Sequence, residues 1–140
     1  MSSELTDDDW ALLESTGYSR KVIDLYRNKV NVGTIKNATV TLTKTASCGE
    51  SIKLYLKITR ENVIENAKFQ YMGCLVLAAC GSALTKIIRG KTLQEAKKVS
   101  ADDLLRVLEG LPSGEDHCVL LTTKTLKKII QKYEKKEETT

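Results

Sequence analysis

Residues 51–58 read Ser-Ile-Lys-Leu-Tyr-Leu-Lys-Ile, and apolar side chains occupy every second position of one face. Alternation with a period of two is typical of a strand with one buried face and one face in water. The pattern predicts a strand over 51–59, and weaker alternation at 38–44 and 63–71 predicts two more. Because the connections are short, the three strands are expected to form an antiparallel meander.

Helical spacing of apolar residues replaces this alternation on both sides of the strands. Thr92 with Glu95 and Ser100 with Asp103 match the capping box that begins many helices. The sequence thus predicts an α+β domain in which about five to six helices pack against a three-stranded antiparallel sheet. The predicted helices cover residues 6–15, 19–28, 75–89, a short segment after 92, 101–109 and 117–135. The core side of the last helix is predicted to be Leu120, Leu121, Leu126, Ile129, Ile130 and Tyr133.

The chain of 140 residues is long enough for one domain with its own core. We predict an acidic N-terminal helical extension (1–16), a main domain (17–135) and a frayed tail (136–140). Residues 16–123 carry 16 basic and 10 acidic side chains, and residues 124–140 carry six and three. Positions 1–15 have no basic residue, and their acidic residues are Glu4, Asp7, Asp8, Asp9 and Glu14.

Composition excludes several classes of function. The positive charge is spread along the chain and aromatic residues make up only 5%, so no nucleic-acid binding is expected. The longest apolar run, residues 75–79, is too short to span a membrane, and the acidic N-terminus resembles no signal or transit peptide. We therefore expect a cytoplasmic protein that binds no membrane and whose thiols stay reduced.

Three of the four cysteines fall at the boundaries of predicted elements. Cys48 lies in the loop between the first two strands, Cys74 at the junction of the third strand and the apolar helix, and Cys118 at the start of the last helix. Their separations of 26 and 44 residues (74 − 48 and 118 − 74) exclude a local metal hairpin, and each cysteine could equally be a small buried apolar residue. Cys80 lies inside the apolar helix and faces another side than Cys74, which indicates a structural role.

Two further side chains flank these cysteines. Glu50 follows Cys48 by two positions, and His117, the single histidine, directly precedes Cys118. Thiolates with one carboxylate suit zinc or an iron–sulfur cluster, and the harder carboxylate ligand would favour release of a cluster. His117 in this position is a candidate ligand, proton shuttle or thiolate partner.

Six segments in order resemble the iron–sulfur cluster scaffold family of the IscU/NifU N-terminal type. The resemblance covers roughly residues 17–134, and it identifies the predicted main domain, 17–135, as a scaffold domain with a SufE/NifU-like fold. The segments are Tyr18–Tyr26, Asn31-Val32-Gly33, Cys48-Gly49-Glu50, Gly73-Cys74, Arg89-Gly90-Lys91-Thr92 with Glu95-Ala96, and His117-Cys118.

The resemblance implies a function and the residues that perform it. A transient 2Fe-2S cluster, or zinc in the isolated protein, would be bound by the cofactor and metal ligands Cys48, Glu50, Cys74, His117 and Cys118. Cys118 would accept persulfide sulfur from a cysteine desulfurase. Free sulfide would be the alternative source of sulfur for the cluster. Tyr18 would lie near the site and near subunit contacts. The resemblance further implies transfer to apo iron–sulfur proteins, an iron donor, chaperones, a homodimer when a cluster is bound, and no enzymatic turnover.

The sequence departs from the family at several positions. Glu50 stands where the family has Asp, and residues 111–115 read Leu-Pro-Ser-Gly-Glu where the family has a Leu-Pro-Pro-Val-Lys chaperone-binding segment. Two other functions stay open. One is a zinc-bound sulfur acceptor of the SufU kind, although SufU-type chains have an insertion before the last helix and lack the histidine. The other is a structural zinc domain, which should unfold when its metal is removed.

Overall fold

The computed structural model describes residues 6–7, 11, 15, 17–112 and 116–138. Most of the predicted N-terminal helix, and residues 113–115 and 139–140, therefore lie outside the described residues. The described part of the chain contains a three-stranded sheet and five helices. None of these helices combines the length and the apolar character needed to cross a membrane.

The sheet is the predicted antiparallel meander. Its strands are β1 (Val40–Thr45), β2 (Ser51–Ile58) and β3 (Ile64–Met72), and they lie side by side in that order. Leu54 of β2 pairs with Leu42 of β1 and with Phe69 of β3, so the apolar positions of all three strands share one face. The helices are α1 (Arg20–Arg27), α2 (Leu75–Ile88), α3 (Leu93–Ala96), α4 (Ala101–Val107) and α5 (Asp116–Glu138).

The core lies between the inner face of the sheet and the long helices α2 and α5. Leu54, Leu56 and Phe69 are completely buried there. Gly81 of α2 lies directly against the Phe69 ring, and a Cβ atom at position 81 would overlap the Cε2 atom of Phe69. Only glycine permits this close approach of α2 to β3.

The loop before β1 is joined to the edge of the sheet, which the sequence did not predict. Val32 forms a parallel bridge with Phe69, and the Asn31 side-chain amide donates a hydrogen bond to the Thr85 hydroxyl, 3.0 Å away. The Ser82 hydroxyl donates to the carbonyl of Val30 at 2.8 Å. The loop that precedes β1 is therefore hydrogen-bonded to both β3 and α2.

The predicted helix caps are confirmed. The Thr92–Glu95 and Ser100–Asp103 pairs both form complete capping boxes at the starts of α3 and α4. The last helix continues to Glu138, three residues past the predicted end. Cys74 is the N-cap of α2, and its thiol makes no capping hydrogen bond, which leaves the sulfur available to other groups.

The prediction that Leu120 of the last helix belongs to the core is wrong. Leu120 is 48% exposed. In α5 the buried stripe is centred on Cys118, Thr122 and Ile129, and Leu120 falls on the opposite side at 100° per residue. Thr122 replaces an apolar residue in that stripe because its hydroxyl donates to the Cys118 carbonyl within the helix, at 2.8 Å.

Candidate metal centre

Three segments of the chain meet at one end of the sheet. In the antiparallel register Ser51, the first residue of β2, pairs with Met72, the last residue of β3. The residues just outside this pair, Glu50 and Gly73, are therefore neighbours, and Cys74 follows at the start of α2. The first turn of α5 brings His117 and Cys118 to the same place.

The Glu50 carboxylate lies at the centre of this group. Its Oε2 atom is 3.6 Å from the Cys74 sulfur and 3.8 Å from the Cys118 sulfur. Its Oε1 atom is 3.4 Å from Nε2 of His117 and 3.9 Å from the Cys48 sulfur. The structure therefore brings all five predicted ligands together around one carboxylate.

Gly73 makes room for the carboxylate. A Cβ atom at position 73 would lie 2.6 Å from Oε2 of Glu50, which is closer than real Cβ contacts. Gly49, the other glycine beside a candidate ligand, has a φ of +95° and open space where a Cβ would be. The two glycines therefore have different roles: Gly49 shapes the loop, whereas Gly73 admits the side chain of Glu50.

The electrostatics differ between the carboxylate and the buried thiol. Partial burial acts to raise the pKa of Glu50, but hydrogen bonds from the Cys74 backbone N–H and from His117 outweigh it and lower that pKa. Burial, followed by the neighbouring thiol of Cys74 and the charge of Glu50, raises the pKa of Cys118 well above its usual range. Without a cation the site thus contains an ionised carboxylate beside a protonated Cys118.

The donors fit a tetrahedral metal ion of soft character. The ligand atoms of Glu50, His117 and Cys118 all lie within 4.8 Å of one another. The sulfurs of Cys74 and Cys118 are 3.7 Å apart. Two thiolates bound at about 2.3 Å to one tetrahedral zinc ion would be separated by about 3.8 Å, so this spacing needs little change on binding.

Access to the donors is unequal. Cys48 and Cys74 are exposed and the His117 side chain is 53% exposed, whereas Cys118 is completely buried. Cys80 is also buried, in the core beneath the site. The half-buried Tyr18 lines a separate depression with Glu109, Gly110 and Leu111.

Apolar and aromatic residues near the site were not singled out from the sequence. Burial, followed by the charges of Tyr26 and Cys74, raises the pKa of Tyr71. Met72 is 71% exposed and Tyr26 is 41% exposed. Their position in the sequence could have indicated a place near the site, because Tyr71 and Met72 end β3 directly before Gly73-Cys74.

The fold and the donor set together define a class: a small α+β domain that can bind a soft metal ion or cluster between thiols and a carboxylate at the end of a sheet. The NifU-like N terminal domain family model matches residues 17–140. The chain therefore belongs to the NifU-like N-terminal domain family.

Relatives of known function are similar over most of the chain. The iron-sulfur cluster assembly scaffold protein IscU 1 of Archaeoglobus fulgidus is 38% identical over 120 residues, which cover 85% of this chain and 78% of the relative. The iron-sulfur cluster assembly scaffold protein IscU of Escherichia coli is 36% identical over 125 residues, which cover 86% of this chain and 97% of the relative.

Solved structures share the fold. A putative scaffold protein for the SUF system from Fervidobacterium islandicum superposes with a TM-score of 0.68 at 24% identity, covering 81% of this chain and 96% of that one. The N-terminal part of a NifU-like protein from Brucella abortus gives a TM-score of 0.68 at 19% identity, and the superposition covers 89% of this chain and 99% of that one. The predicted SufE/NifU-like architecture is thereby confirmed.

Proposed function

We propose that this protein is a scaffold on which iron and sulfur are assembled into a 2Fe-2S cluster that is then passed to apo-proteins. The observation that carries the proposal is the convergence of Cys48, Cys74, Cys118 and His117 around Glu50 at one end of the sheet. Membership of the family and the named function of the relatives from Archaeoglobus fulgidus and Escherichia coli support it. As a scaffold, the protein would turn over no small molecule.

The donor set suits temporary binding of this cargo. Three thiolates supply the soft ligands that iron in a cluster prefers, and Glu50 or His117 supplies the fourth, harder position. Since Cys48, Cys74 and His117 are exposed, iron can enter and a recipient protein can approach from the same side. A fixed Cys₄ shell inside the core would permit neither step as readily.

Cys118 is our proposed acceptor of sulfur. In this step the Cys118 thiolate attacks the outer sulfur of a persulfide on a cysteine desulfurase, a new S–S bond forms on Cys118, and the cysteine of the desulfurase leaves as a thiolate. Because Cys118 is buried and its pKa is raised, the step requires an approaching partner or a bound cation to expose and deprotonate the thiol. With free sulfide as the source, no acceptor residue is needed.

The surroundings of the site fit docking of protein partners. Met72, Tyr26 and Leu120 expose apolar side chains on β3, α1 and α5. Met72 lies two positions before Cys74, and Leu120 lies two positions after Cys118. Exposed apolar groups near a functional centre are typical of transient protein contacts. We propose that a desulfurase, a recipient protein or a second copy of this chain docks here, with a homodimer forming around a bound cluster.

A second function is supported by one observation. The ligand atoms of Glu50, His117 and Cys118 form a compact group suited to a single zinc ion. A zinc-bound protein that accepts sulfur from a desulfurase would use the same residues without building a cluster.

Anaerobic reconstitution with iron, cysteine and a desulfurase distinguishes the two functions. The scaffold should develop visible absorption and a Mössbauer signature of a 2Fe-2S cluster at near-stoichiometric yield. Substitution of a ligand, Cys74→Ala, should abolish the cluster, whereas Cys80→Ala, at a buried cysteine outside the ligand set, should retain it. Tight zinc with no cluster would support the sulfur acceptor and contradict the scaffold.

A further inference from the structure

A groove of about 600 Å³ lies between the end of α2, α3 and α4. It is distant from the metal centre, because Cys74 caps the first turn of α2 whereas Ile87 lies in its last turn, about 20 Å along the helix. Ile87, Val99 and Val107 line the groove with apolar surface. The groove is therefore separate from the metal centre on which the proposed function depends.

The groove also has a cationic rim. Lys91, Lys98 and Arg106 line it together with Glu95 and Asp103. Both carboxylates are engaged in capping: Glu95 accepts from the Thr92 backbone N–H and Asp103 from the Ser100 backbone N–H, each at 2.9 Å. Arg106 makes a loose ion pair with Asp103 at 3.7 Å. Lys91 and Lys98 are close enough to Glu95 to act on its charge, and the three cations and two carboxylates leave the groove a net charge of +1 (3 − 2). Within the described residues, no hydrogen bond or ion pair fixes either ammonium group.

The residues that directly follow the acidic N-terminal segment lie near one end of this groove. The Ser19 hydroxyl donates to the carbonyl of Leu108 at 2.6 Å, and Leu108 directly follows Val107 of the groove. A Cβ atom at Gly17 would lie 3.4 Å from Pro112. The 16 residues that precede Gly17 lie outside the match to the family model, and even as a helix they could reach about 24 Å.

Charge and polarity of the segment complement the groove. Residues 4–15 contain five acidic residues and no basic one, together with Leu5, Trp10, Leu12 and Leu13. The described residues Asp7 and Ala11 are helical and exposed, and the Ser15 backbone N–H donates to the Ala11 carbonyl. In a helix, Leu12 and Leu13 would lie away from Asp7 and Ala11, with Asp9 between them. This side can contact an apolar floor while acidic groups at its borders meet a cationic rim.

We propose that the groove is an intramolecular docking site for the acidic N-terminal segment, residues 4–15. Apolar contacts with Ile87, Val99 and Val107 supply most of the attraction, and pairing with Lys91 and Lys98 sets orientation, because exposed ion pairs alone are weak. Tethering helps, since a segment attached next to its site has an effective concentration of roughly millimolar. The proposal does not depend on the metal site.

Trp10 is the single tryptophan of the chain and reports on its own segment. In the full-length protein its fluorescence should be blue-shifted and protected from acrylamide. Reversing the rim charge with Lys91→Glu, Lys98→Glu and Arg106→Glu should raise the quenching constant at least about threefold, because repulsion between like charges then opposes the apolar contacts and the undocked population grows. A control with the same charge change at exposed positions of α5, Lys124→Glu, Lys127→Glu and Lys128→Glu, should leave quenching unchanged.

A charge swap completes the test. Asp8→Lys and Asp9→Lys in the rim-reversed protein should restore the protection of Trp10. A fully quenchable Trp10 in the unmodified protein would overturn the proposal, as would protection that ignores rim reversal, because the segment would then pack elsewhere. Protection that disappears on dilution would show docking on a second copy and would overturn the intramolecular assignment. Circular dichroism of each variant verifies that the domain is folded.

Discussion

Glu50 couples the candidate ligands to one another. Its ionised carboxylate contacts side chains from three separate segments, and its charge helps to keep the neighbouring Cys118 thiol protonated. A cation between these groups reverses that balance, because thiolate is then the favoured form. Metal binding should therefore release a proton from Cys118 and tighten as pH rises.

The carboxylate can be displaced without changing any ligand. We expect Gly73→Ala to push Glu50 away from the sulfurs, because the new methyl group would lie 2.6 Å from Oε2. Loss of such support around a metal site typically weakens metal affinity by about tenfold or more. Zinc affinity measured by competition with a chelator tests this expectation.

Gly49→Ala is the matched control for that change. It also introduces a methyl group at a positive φ, +95° at Gly49 against +158° at Gly73, but into open space. Its zinc affinity should stay within about threefold of the unmodified protein, since additional strain alone does not move the carboxylate. Equal losses in both variants would show that loop strain, and not the position of Glu50, determines affinity.

The thiols of the metal-free protein should react in a definite order. Iodoacetamide at pH 7 should modify the exposed Cys48 and Cys74 first, Cys118 at least about tenfold more slowly, and Cys80 last. Cys118 is slow because it is buried and its pKa is raised, so little thiolate is present. Raising the pH should accelerate Cys118 by increasing that thiolate fraction.

Mass spectrometry of peptides after timed quenching measures this order. Cys80 is the internal control, because it is buried in the core and its modification requires unfolding. Modification of Cys118 ahead of Cys48 and Cys74 would contradict the geometry of the site and would indicate a thiol that is activated without metal.

At the scale of elements, local signals account for most of the fold. The alternation in residues 51–58 and the capping pair at Ser100 predicted elements that begin where observed and end within two residues of the observed end. The capping pair at Thr92 predicted a short helix, which the structure contains. Leu120 was placed wrongly because the buried stripe of α5 contains threonines that satisfy their hydroxyls within the helix. The bridge between Val32 and Phe69 joins distant residues through a loop, so no periodicity reports it.

The capping box of α4 provides a test at this scale. Asp103→Ala removes a carboxylate oxygen that accepts from the Ser100 backbone N–H at 2.9 Å, and it should lower the free energy of unfolding by about 1 kcal/mol. Asp102→Ala removes a neighbouring carboxylate of the same first turn that has no such bond. It should lower the free energy of unfolding by only about 0.3 kcal/mol. Urea denaturation compares the two variants.

The difference between these variants should depend on pH. The hydrogen bond from the Ser100 backbone holds the pKa of Asp103 below its ordinary value of 3.8. A carboxyl with a lowered pKa stabilises the folded state when it is ionised, so its contribution is present at neutral pH. That contribution should be lost as the pH falls through 3.8 toward the lower folded value. A difference that is constant from pH 7 to pH 3 would exclude an electrostatic origin.

At the scale of the whole molecule, the site lies at the end of the apolar core, and Cys118 is the candidate ligand that belongs to both. Chain order shows which residues stand next to a cysteine, but only the register of β2 against β3 brings Glu50 beside Gly73. The resemblance supplied the five candidate ligands. It could not show that Cys118 would be completely buried while Cys48 and Cys74 stay exposed, because burial follows from the packing of α5 against α2 and the sheet.

This separation of core and site predicts the effect of metal removal. The buried cluster runs from the sheet through α2 to α5 and consists almost entirely of apolar side chains, with Cys118 as the single site residue among them. Chelation of zinc should therefore leave the far-ultraviolet circular dichroism of the protein nearly unchanged. The melting temperature should fall by roughly 10 °C, since bound metal stabilises the folded state only by its binding free energy.

Under the alternative of a structural zinc domain the metal is required for folding, and the same treatment should abolish the helical signal and the cooperative transition. Cys80→Ala is the control for the core: it should lower stability in the presence and absence of metal alike, because Cys80 is buried beneath the site and outside the ligand set.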